Sequence, residues 1–87
     1  MLDLQHIQSF RMVALMHNFT RAAAELGYSQ GSVTLHVKAL ERELGVALLE
    51  RHRFSKTVEL TAVGRRTLDY AERLLALADE AKAIVRK

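Results

Sequence analysis

An 87-residue chain has room for one small core and an appended element, and excludes a second full domain. Hydrophobic residues at 49% and charged residues at 26% exclude wholesale disorder, and the lack of cysteine excludes a disulfide framework or a thiolate metal site. A formal net charge of +3 and a pI near 9.7 permit an anionic partner without requiring one.

With no proline and only four glycines, the chain reads as helices joined by tight turns. No apolar run approaches membrane-span length, and the N-terminus Met1-Leu2-Asp3-Leu4-Gln5-His6 is too polar for a signal peptide. A cytoplasmic protein with no membrane association is the expectation. From Leu4 to about Met16, residues Leu4, Ile7, Phe10, Val13 and Ala14 follow helical spacing, with Gln5, Gln8, Ser9 and Arg11 on the far side. This predicts a first, core-forming helix. His17-Asn18-Phe19 interrupts the pattern, and Thr20 is read as the N-cap of a short second helix ending at Leu26. Gly27 stops that helix and Tyr28 follows as a core anchor.

Ser29 starts the third helix and Gly45 ends it. Val33, Val37, Leu40 and Leu44 recur at spacings of four, three and four, an apolar stripe that must be buried. The opposite face carries Gln30, Ser32, Thr34, Leu35, His36 and Lys38, mostly short or amide-bearing groups rather than long acid–base pairs. Such a face suits a helix laid in a DNA groove, where hydroxyls and lysine meet phosphate and an amide pairs with a base edge. Two helices joined by a short glycine-containing turn predict a helix-turn-helix, an arrangement that also occurs in proteins that never touch DNA.

Val46 to Glu50 is short and apolar, and Thr57 to Leu60 alternates like a strand, with Arg51-His52-Arg53-Phe54-Ser55-Lys56 between them. Two brief antiparallel strands and a basic loop make a wing able to reach phosphate or a minor groove. Arg51, Arg53 and Lys56 have no acid among them, whereas Arg65, Asp69, Arg73 and Asp79, Glu80, Lys82 mix the two signs. Thr61 caps a last helix running to about Val85, with Gly64 costing modest helicity in its first turn. Leu68, Ala71, Leu75, Ala78 and Val85 form one stripe, and Leu74, Leu77, Ala81 and Ile84 an adjoining one. A helix of roughly 35 Å, at about 1.5 Å per residue, offers more apolar width than so small a monomer covers. The stripes fit either a core helix packed on the first or a homodimer contact, and the dimer is preferred.

The fold class expected is therefore mainly α: a winged helix-turn-helix over residues 1–60 and a dimerisation helix over 61–87. Thr20-Arg21-Ala22-Ala23 through Leu26, Ser29-Gln30, Val33-Thr34, Val37-Lys38-Ala39-Leu40-Glu41, Glu43-Leu44-Gly45, Leu48-Leu49-Glu50-Arg51 and Leu60-Thr61-Ala62-Val63-Gly64 carry a further signal. In that order they resemble the N-terminal winged helix-turn-helix of LysR-type transcriptional regulators. The resemblance implies a bacterial, sequence-specific double-stranded DNA-binding protein whose final linker helix pairs with its twofold mate. It also implies an effector-binding domain beyond the linker helix, so the 87 residues are expected to be a DNA-binding fragment and any small-molecule effector to bind outside them.

In the family, residues at the positions of Gln30, Gly31, Thr34, Leu35 and Lys38 approach DNA, supported by the wing at Arg53. Position 31 is often proline and position 35 often arginine, where this chain has glycine and leucine. Leucine cannot fork onto guanine, but it can meet a thymine methyl. The wing is a residue or two longer than the family pattern. Ser29 and Ser32 lie where first-turn N–H groups attract phosphate, although capping alone explains Ser29. His36 is read either as a contact to DNA or as a silent exposed histidine, and Arg53 as a groove probe or a solvated charge. Arg51 and Lys56 complete the DNA-facing set, with Glu41 and Arg51 expected to form an ion pair orienting the wing. Phe54 fits both a packed and an exposed position.

No enzyme constellation is present: His6, His17, His36 and His52 lack partners at ligand spacing, and there is no glycine-rich phosphate loop. Neither a metal nor a cofactor is expected. The competing reading from another class is a helical interaction module that keeps the fold without sequence-specific DNA binding.

Overall fold

The computed structural model describes residues 1–52 and 54–86. Helix α1 spans Leu4–Met16, α2 Phe19–Leu26, α3 Gln30–Leu44 and α4 Ala62–Val85, with strands β1 Leu49–Arg51 and β2 Val58–Leu60 between α3 and α4. Each helix starts where an extended residue turns a side-chain oxygen onto first-turn amides that have no helical partner: Asp3, Asn18, Ser29 and Thr61. Gly27 and Gly45 close α2 and α3 at φ of 75° and 74°, where a side chain would be strained.

His17 closes α1 in the same left-handed region, at φ 55°. Its carbonyl accepts from Val58 N at 3.0 Å and its ring Nδ1 donates to Val58 O at 3.1 Å. The strained backbone is thus held by β2, which it docks against α1.

The cap of α2 differs from the sequence expectation. Asn18 Oδ1, not Thr20, accepts from Arg21 N at 2.9 Å. Phe19 becomes the first helical residue and is buried, so tertiary packing decides between two cap-competent residues. Ser9, expected on the far side of α1, is also buried.

The core joins Ile7, Phe10 and Val13 of α1 with Phe19, Ala22 and Ala23 of α2, Val33, Val37 and Leu40 of α3, and Leu48, Leu49 and Val58 of the wing. Alanines on α2 let that helix lie close to its neighbours. The wing is antiparallel, pairing Leu49 with Leu60, Glu50 with Glu59 and Arg51 with Val58. Pairing begins later than the apolar run suggested because Glu41 Oε2 accepts from Leu48 N at 2.8 Å and Leu49 N at 3.4 Å, tying this stretch to α3. Glu41 therefore orients the wing through backbone amides. The expected ion pair with Arg51 does not form.

Helix α4 enters the core as well. Ala71 is only 2% exposed, Leu68 and Leu75 pack partly against the core, and Arg11 Nε meets Glu72 Oε2 at 2.8 Å across the α1–α4 contact. Ala71 is thereby withdrawn from the expected dimer surface, and Leu68 and Leu75 are partly withdrawn. Leu77 and Ile84 stay 61% and 72% exposed, with Leu74, Ala81 and Val85 also exposed and Ala78 half-buried. Gly64 is buried because its backbone lies against Leu48: a Cβ there would overlap the Leu48 carbonyl oxygen.

Candidate nucleic-acid interface

Helix α3 is pinned from beneath by Val33, Val37 and Leu40, which are buried against α1 and α2. The same 3.6-residue period turns Gly31, Thr34, Leu35 and Lys38 outward together, with Gln30 at their edge. Gln30, Gly31, Leu35 and Lys38 are exposed and Thr34 is half-buried.

Ser29 Oγ accepts from Ser32 N at 3.1 Å and donates to Ser32 Oγ at 2.9 Å, so both serines are engaged in starting the helix. His36 departs from both readings of the sequence. It is partly buried, with Nδ1 2.7 Å from Ser9 Oγ. Its ring stacks on His6 at 5.0 Å between centroids and meets the Tyr28 ring edge-on at 5.6 Å. It ties α3 to α1 and leaves the outward surface.

A groove runs between the start of α2, the start of α3 and the wing. Asn18, Phe19, Thr20, Gln30, Arg51, His52, Ser55, Lys56 and Val58 line it, with no carboxylate among them. Thr20 Oγ1 donates to Gln30 Oε1 at 3.1 Å, which holds the amide carbonyl and leaves its NH2 end to donate elsewhere. The Arg51 guanidinium lies 4.5 Å from the Phe19 ring centroid, a cation–π contact that fixes an otherwise mobile side chain. Arg51 and Lys56 thus line the same groove as Gln30, while Arg53 lies outside the described residues. Phe54 is exposed.

Sequence reasoning misses the place of Thr20 in this groove because Thr20 reads as a cap. Asn18, three residues before Arg21, was the available signal: with Asn18 capping, Thr20 falls in the first turn beside Gln30. Among the described residues no cluster of three or more His, Cys, Asp or Glu could hold a metal, and no helix is long and apolar enough to cross a membrane.

A capped, outward-facing helix beside a basic two-stranded wing defines a winged helix-turn-helix. The family described as bacterial regulatory helix-turn-helix protein, lysR family, matches residues 4–65, and the chain belongs to it. It is similar to the uncharacterized HTH-type transcriptional regulator YusT of Bacillus subtilis (strain 168), 44% identical over 75 residues that make up 86% of this chain and 25% of that protein. Among solved structures it resembles the CbnR DNA-binding domain in complex with DNA, with a TM-score of 0.89, 38% identity and coverage of 97% and 94% of the two chains. The BenM DNA-binding domain with catB site 1 DNA gives a TM-score of 0.88 at 33% identity, covering 97% and 91%. The chain spans about a quarter of the length of the curated relatives it matches.

Proposed function

We propose that this chain binds double-stranded DNA sequence-specifically, as the DNA-binding part of a cytoplasmic bacterial LysR-type transcriptional regulator. It acts as a homodimer, has no catalytic role, and leaves effector binding to other parts of the full-length protein. The observation that carries this reading is the outward surface of α3, where Gln30, Thr34, Leu35 and Lys38 face away from a core that fixes the helix. The fold's likeness to two DNA-binding domains solved on DNA supports it. In this arrangement α3 enters the major groove, and Gln30, its carbonyl held by Thr20, offers its NH2 group to a base edge. Thr34, Lys38 and the first-turn amides near Ser29 and Ser32 meet phosphate, while Arg51 and Lys56 reach the flanking backbone from the wing. Leu74, Leu77, Ala81, Ile84 and Val85 supply the dimer contact.

Selection of bound sequences from a random duplex pool tests the reading, followed by a salt titration on the selected duplex. A preferred sequence whose affinity falls steeply with salt is expected. Retention no better than that of random DNA would overturn it. Lys38→Ala should weaken all duplexes alike, whereas Gln30→Ala should cost about 1–3 kcal/mol mainly on the selected one. An equal loss on every sequence would remove Gln30 from base reading.

A further inference from the structure

We infer that Gly31 and Leu35 together form a recess that reads the C5-methyl group of a thymine in each half-site, an inference that rests on the DNA-binding reading above. A lone exposed leucine is common on protein surfaces. Here two observations coincide. Leu35 is 66% exposed at the centre of the outward face, with polar Thr34 beside it and polar Lys38 one turn on. One turn before it, Gly31 leaves open space: a Cβ there would find only Ser29 Oγ, at 4.0 Å, and the position has no positive φ.

Nothing inside the chain therefore requires glycine at 31, although glycine weakens a helix. Side chains of a helix lean toward its N-terminus, so Leu35 leans over the empty position. Neither residue brings a hydrogen-bonding side chain to this part of the face. All four bases present polar groups in the major groove, and thymine alone adds a methyl that leucine can cover.

The probe is the duplex returned by selection, with each thymine in turn replaced by uracil, which keeps the pairing groups and removes only the methyl. Burying one methyl predicts about fourfold weaker binding when the contacted thymine of one half-site is replaced, and roughly fifteenfold when both are. Leu35→Ala, whose thermal unfolding should match the parent because the side chain is exposed, should bind thymine and uracil duplexes equally at that position. A selected duplex indifferent to uracil everywhere, or an equal uracil loss in Leu35→Ala, overturns the recess and leaves DNA binding standing. Failure to select any preferred duplex overturns both.

Discussion

Gly31 and Gly64 both occupy the first turn of a helix, yet alanine should act in opposite directions at the two. At Gly31 the added methyl meets open space, so Gly31→Ala should raise stability by about 0.5–1 kcal/mol through helix propensity. At Gly64 it would collide with the Leu48 carbonyl oxygen, a backbone atom that cannot swing aside, so Gly64→Ala should lower stability by about 1–3 kcal/mol despite the same propensity gain. Thermal unfolding of the two variants checks the signs, and destabilisation of similar size in both would contradict the packing described. In the sequence both glycines read alike. What separates them is Leu48, a residue just before β1 that helical periodicity cannot report. His36 was unreadable for a similar reason: its partners His6 and Ser9 lie on α1 and are met only once α1 and α3 pack.

The elements themselves were largely legible. Ser29 and Gly45 bound α3 and Thr61 starts α4 where the sequence placed them, because caps and stops are local chemistry. The start of α2 was not, since Asn18 and Thr20 both cap well and the burial of Phe19 arbitrates. Capping also yields a pH prediction. The Gln5 amide bonded to Asp3 Oδ1 at 2.7 Å holds that carboxyl below the ordinary aspartate value, with the His6 amide adding to it against partial desolvation. The contribution is full above the ordinary aspartate value and is lost as pH falls through the lowered one. Asp3→Asn, which still caps but does not titrate, should flatten this part of the acid-unfolding curve. Curves of identical slope for the two proteins would remove Asp3 from the account.

At the scale of the whole molecule, α4 divides into a docked face and an open one. Leu77→Glu or Ile84→Glu should leave folding intact and convert dimer to monomer in sedimentation, whereas Leu75→Glu should lower the melting temperature because that side chain packs on the core. Unchanged sedimentation for both exposed variants would exclude this face as the dimer contact. Read along the chain, the two stripes of α4 are alike in apolarity; only the approach of α1, marked by Arg11 and Glu72, separates them. The start of α4 is fastened with equal firmness to the wing. Thr61 N donates to Leu48 O at 3.0 Å, Thr61 Oγ1 to Ala47 O at 2.8 Å and Arg65 Nη1 to Leu60 O at 3.2 Å. Hairpin and long helix are welded at this corner, so torque applied to the far end of that helix bears first on the roots of both strands, making the wing a passenger of whatever steers that lever.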